Sequence, residues 1–116
     1  MDGKLVYMQF LKLLHTLEGQ ETSSASMDLD ARKLLEVIAV RFDQKKPLTV
    51  TEAMALNHIA SPATIHRKLD QLRELDMIET VFEGKNRRTK YLIPTENAHV
   101  FFEHVGKAMK QAVAAV

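Results

Sequence analysis

The chain has 116 residues, which suits one compact domain with appended helices and not two full domains. Apolar residues make up 46% and charged residues 27%, which argues against wholesale disorder. The absence of cysteine excludes disulfides and thiolate metal sites and fits a reducing, cytoplasmic setting. The net charge of +1 says little as a total, but residues 85–90 hold Lys85, Arg87, Arg88 and Lys90 and no acid, a focus of charge able to attract a polyanion.

Residues 4–18 read as a helix. Leu5, Tyr7, Met8, Phe10, Leu11, Leu13, Leu14 and Leu17 spread apolar groups around most of its circumference, so it needs cover on more than one face. The N-terminus lacks the basic and apolar regions of a signal peptide, and no run approaches the ~18 apolar residues of a membrane span. Residues 19–27, polar and Ser-rich, read as a flexible linker.

A winged helix-turn-helix pattern fills residues 28–94. Asp28 caps a helix over about 29–43 whose apolar stripe is Leu34, Leu35, Ile38, Ala39 and Phe42, and Lys45-Lys46-Pro47 ends it. Thr49 and Glu52 have capping-box spacing ahead of a short helix over 50–56. After a turn at 57–60, Ser61-Pro62 is a strong helix start: the hydroxyl accepts orphan N–H bonds, and proline lacks one that would be orphaned anyway. That helix runs to about Leu75 with Ile65, Leu69, Leu72 and Leu75 inward, and Asp76 ends it in the left-handed conformation. Residues 78–82 and 89–93 read as the strands of a hairpin with a basic tip. Thr95 then caps a last helix, over 95–116, carrying Phe101, Phe102, Val105, Met109, Ala112 and Val113.

A basic hairpin directly after the helix of residues 62–75 suggests one helix in a DNA major groove and the wing in the minor groove or on the backbone. With Ile65 centred on the buried face, at about 100° per residue, Ala63, Arg67, Asp70 and Glu74 point away and Thr64, His66 and Gln71 flank them. Ala63, Thr64, His66 and Arg67 are the candidate base contacts: Ala and Thr methyls suit a thymine methyl, and Arg forks onto guanine. Thr49, Ser61, Lys68, Arg73, Lys85, Arg87, Arg88 and Lys90 are the candidate backbone and wing contacts. The bland alternative is a solvated face with Arg67–Asp70 or Arg67–Gln71 pairs.

Thr49-Val50-Thr51-Glu52, Ser61 through Leu72, and Leu75-Asp76-Met77-Ile78-Glu79 resemble the helix-turn-helix of MarR-type transcriptional regulators. Asn86 through Thr95 is similar to that family's wing. The resemblance covers about residues 29–105 and implies a homodimer on a two-fold DNA site, with Arg88 as the minor-groove arginine. The family's usual wing Asp is Asn86 here, the usual Gly after the recognition helix is Asp76, and the turn before Ser61 is one residue longer. The chain carries one C-terminal helix where the family generally has two, and the family's effector pocket lies beside those helices. A small-molecule effector is compatible with the resemblance but unsupported by residues. A dimer is expected independently, because the first and last helices have more apolar surface than one small domain covers. Leu5, Met8, Leu11, Phe101, Phe102, Val105 and Met109 are the candidate interface.

His99, Glu103 and His104 on the last helix fall short of a full ligand set, so no metal is expected. Gly3, Gly19, Gly84 and Gly106 form no phosphate-cradling loop, and no nucleophile–base spacing stands out, so neither a cofactor nor an enzyme activity is expected. The expected fold class is mainly α with a small β-hairpin wing, flanked by dimerisation helices. The expected function is sequence-specific binding of double-stranded DNA in transcription regulation. A winged-helix module that docks on protein without DNA is the alternative, kept open by Asp70 and Glu74; an apparatus role in replication or plasmid partition shares the DNA chemistry.

Overall fold

The computed structural model describes residues 2–20, 27–85 and 87–116. Its elements are α1 (Gly3–Gln20), α2 (Leu29–Asp43), α3 (Val50–Met54), α4 (Pro62–Glu74), β1 (Ile78–Phe82), β2 (Lys90–Pro94) and α5 (Glu96–Ala114). Most of the expected linker lies outside the described residues, as do Asn86 and the side chain of Leu17. The chain divides into two units, one from Met27 to Ala98 and the other made of α1 with His99–Val116.

The unit from Met27 to Ala98 is built on α2. The Asp28 carboxylate accepts the Ala31 N–H at 2.8 Å and so starts the helix. Ala31, Leu34, Leu35 and Ile38 form its buried stripe. The expected stripe is corrected at its C-terminal end: Ala39 is half-buried and Phe42 is 38% exposed. The reason lies in the turn that follows. Lys45 adopts φ 62, its N–H reaches the Phe42 carbonyl at 2.9 Å, and the Lys46 N–H reaches Arg41 at 3.0 Å. This Schellman turn ends the helix at Asp43, where expected, and leaves Phe42 in the last, solvent-facing turn.

The capping box of α3 forms as expected, with Thr49 and Glu52 exchanging bonds of 3.0 and 2.9 Å. The helix stops at Met54, short of the expected Leu56, because the next carbonyls and N–H groups close tight turns. Asn57 N–H bonds Ala55 at 2.8 Å and Ile59 N–H bonds Leu56 at 3.0 Å. In α4, Ser61 caps, Pro62 opens the helix, and Ile65, Leu69 and Leu72 are buried where it packs on α2 and α3.

A second Schellman turn ends α4. Asp76 has φ 58, its N–H bonds Arg73 at 3.0 Å, and the Met77 N–H bonds Leu72 at 2.9 Å. Leu72 and Met77, at the two ends of that motif, are both buried. The chain leaves it directly into β1, which pairs antiparallel with β2 from Ile78 opposite Pro94 to Phe82 opposite Lys90. β2 starts one residue later than expected. A feature absent from the sequence reading joins it: Thr49 bridges Tyr91, and the Leu48 carbonyl accepts the Leu92 N–H at 2.8 Å. The residues that open α3 thereby extend the edge of the hairpin. Thr95 closes the unit. Its buried hydroxyl donates to the Asp76 carbonyl at 2.6 Å and accepts the Ala98 N–H at 3.1 Å, tying the start of α5 to the end of α4.

In the other unit, α1 leaves Leu5 and Tyr7 each 54% exposed and Met8 39% exposed, while Leu11 is half-buried. Along α5, Ala108 and Ala112 are buried, Phe102 and Val105 are half-buried, and Met109 is 55% exposed. Phe101 is only 6% exposed, its ring tilted 5.8 Å from that of Phe102. The expectation that Phe101 faces a partner is corrected, because the single chain already buries it. Among the described residues no helix is long and apolar enough to cross a membrane.

Candidate nucleic-acid interface

The N-terminal half of α4 presents Ser61, Ala63, His66 and Arg67 exposed and Thr64 half-buried. Ile65, Leu69 and Leu72 set this orientation by burying the opposite face. Three of the polar side chains form a line at i, i+3, i+6. Ser61 and Thr64 hydroxyls lie 3.0 Å apart, and the Arg67 guanidinium donates to Thr64 Oγ1 at 3.1 Å. Arg67 thus has a partner one turn back on its own helix, at Thr64. Asp70 is occupied by Arg73 at 2.9 Å and lies 3.5 Å from His66 Nδ1.

Two expected backbone cations have internal partners. Lys68 is half-buried and pairs with Asp28, the cap of α2. Its ammonium, with the Ala31 N–H, holds the Asp28 carboxyl below the ordinary value of 3.8. Arg73 donates from Nε to Thr80 Oγ1 on β1 at 3.0 Å while holding Asp70, so it fixes α4 against the hairpin. Thr49 and Ser61 spend their hydroxyls on the caps of α3 and α4. The Thr49 backbone N–H holds the Glu52 carboxyl below its ordinary 4.5.

The wing tip is different. Lys85, Arg87, Arg88 and Lys90 are all exposed, and Gly84 supplies the φ of 55 that turns the loop. The Arg87 guanidinium sits 5.5 Å over the Phe82 ring, a cation–π contact that steadies it at the strand end. Sequence reasoning overlooked Phe82; its place as the last apolar residue before a basic tip was the available signal. It overlooked the Asp28–Lys68 pair because 40 residues separate the partners. Between α4 and the hairpin lies an open cleft of about 500 Å³, lined by Val50, Leu69 and Phe82 together with His66, Arg73 and Lys90. Among the described residues no group of three or more His, Asp or Glu gathers to hold a metal ion.

No protein-family model and no curated relative matches the sequence. Solved structures do. A MarR-like transcriptional regulator from Thermotoga maritima superposes with a TM-score of 0.63 at 12% identity, over 99% of this chain and 80% of its own. The transcriptional regulator Tm0710 from the same organism gives 0.61 at 14% identity, over 95% and 68%. FabT of Streptococcus pneumoniae, solved in complex with DNA, gives 0.55 at 16% identity, over 94% and 82%. The fold is therefore the winged-helix fold of MarR-like regulators: mostly helical, with a two-stranded antiparallel wing.

Proposed function

We propose that this chain is a sequence-specific, double-stranded-DNA-binding transcriptional regulator of the MarR type, a cytoplasmic homodimer and not an enzyme. The observation that carries the reading is the polar face of α4. Ala63, His66 and Arg67 stand exposed beside Thr64, while Asp28 is paired with Lys68 and Asp70 with Arg73. In this reading α4 enters the major groove by its N-terminal end, with Ala63, Thr64, His66 and Arg67 at base edges. Lys85, Arg87, Arg88 and Lys90 carry the wing along the backbone or into the minor groove. Lys68 and Arg73 then act as supports of the interface. The likeness to transcriptional regulators, one of them solved with DNA, supports the same assignment.

The homodimer rests on α1 and α5. Leu5, Met8 and Met109 are exposed and Leu11, Phe102 and Val105 half-buried, an apolar surface that a second copy would cover. Selection of bound duplexes from a random library tests the whole reading. It should enrich an inverted repeat with half-sites about 10 base pairs apart, or a multiple of that. Recovery of no preferred sequence would contradict it.

A further inference from the structure

The line Ser61, Thr64, Arg67 has a donor count with a consequence for specificity. Arg67 has only N–H groups to give, so Thr64 Oγ1 accepts from it at 3.1 Å. The Thr64 N–H is given to Ser61 Oγ at 3.3 Å as the helix cap. One hydroxyl hydrogen spans the 3.0 Å between Ser61 and Thr64, whichever of the two donates it. That leaves the other hydroxyl hydrogen and the remaining N–H groups of Arg67 pointing outward. The two hydroxyl oxygens accept three of these bonds and keep one lone pair between them, so with the free N–H groups of Arg67 the line is mainly a donor.

We propose, on the reading of α4 as a recognition helix, that Thr64 is a positioning residue that orients the Arg67 guanidinium. The Ser61–Thr64–Arg67 line then selects a guanine. Guanine alone among the bases shows two acceptors, N7 and O6, on its major-groove edge; adenine and cytosine show an amino donor there. An unanchored arginine is rich in rotamers and loses that freedom on binding, whereas Thr64 holds Arg67 near one conformation beforehand. Holding one such side chain in place is worth about three- to tenfold in affinity. The guanine contact is made by Arg67, which Thr64 orients through its Oγ1.

The test measures affinity for the selected operator and for one whose contacted guanine is replaced by adenine. The proteins are wild type, Thr64→Val, Thr64→Ser, Arg67→Ala and the Thr64→Val/Arg67→Ala double variant, with melting temperature measured alongside. Thr64→Val should lose about three- to tenfold of the guanine preference at unchanged melting temperature. Thr64→Ser should restore it, and Thr64→Val should cost nothing more in the Arg67→Ala background. An equal loss from Thr64→Val with and without Arg67, or no rescue by Thr64→Ser, overturns the positioning role while leaving DNA binding intact. Failure of the wild-type protein to bind any duplex overturns the DNA reading itself, and this inference with it.

Discussion

Lys68 of α4 is bonded to Asp28, the residue that starts α2, so a cation on the helix proposed to face DNA is spent on the scaffold beneath it. A lysine at this position reads from sequence as a phosphate contact, and Arg73 reads the same way. Their partners, Asp28 for one and Thr80 with Asp70 for the other, make both of them braces. The distinction is measurable. Replacing a phosphate contact lowers the slope of log affinity against log salt by about 0.9. Lys68→Ala and Arg73→Ala should leave that slope unchanged while lowering stability, and Lys85→Ala should reduce it at unchanged stability. A reduced slope for Lys68→Ala would return it to the phosphate contacts.

The same pair sets an acid response. The folded protein holds Asp28 below its ordinary 3.8, through the Lys68 ammonium first and the Ala31 N–H second, so the unfolded chain takes up the proton more readily. The stabilisation is complete well above 3.8, declines as pH falls below that value, and is gone under the folded pKa. Glu52, held below 4.5 by the Thr49 N–H, adds a loss of the same sign slightly higher in pH. Asp28→Asn keeps a competent cap without the charge. Denaturant melts from about pH 6 to 3 should therefore give a shallower decline for Asp28→Asn than for wild type. Parallel curves would refute the assignment.

Thr95 joins the end of α4 to the start of α5 through one hydroxyl. Thr95→Val keeps the shape and leaves the Asp76 carbonyl and the Ala98 N–H without this partner. A buried group so abandoned costs about 1–3 kcal/mol. Thr95→Ser should recover most of the loss in chemical denaturation.

Lys45 and Asp76 hold positive φ without being glycine. A left-handed residue with a Cβ costs about 1–2 kcal/mol, and glycine gives back about 0.5–1 of that in backbone entropy. Lys45→Gly should therefore raise stability by up to about 1 kcal/mol. A lower melting temperature would show that the lysine side chain contributes something the turn geometry does not reveal.

What sequence reveals here is local. The cap and both ends of α2, the capping box of α3, the Ser61-Pro62 start of α4 and the left-handed Asp76 are all legible. Each depends on residues within a turn of one another. The outward set of α4 was also legible, since period alone sends Ala63 and Arg67 opposite Ile65. The Leu48–Leu92 bond, the Asp28–Lys68 pair and the burial of Phe101 were not, because each depends on which distant segments meet. The division of cations into those that brace the fold and those at the exposed wing tip belongs to the same class. Residue type marks Lys68 and Lys85 as equals, and only the fold gives one of them a carboxylate.

The central claim, that this polar helix face and basic wing bind duplex DNA, is tested most directly by fluorescence anisotropy. Labelled duplex is titrated with folded protein at several salt concentrations. The prediction is log affinity falling linearly with log salt, at about −0.9 per phosphate neutralised, with the slope reduced in a Lys85→Ala/Lys90→Ala variant. A folded protein that leaves duplex anisotropy unchanged even at low salt would contradict the account and point instead to a winged helix that docks on protein.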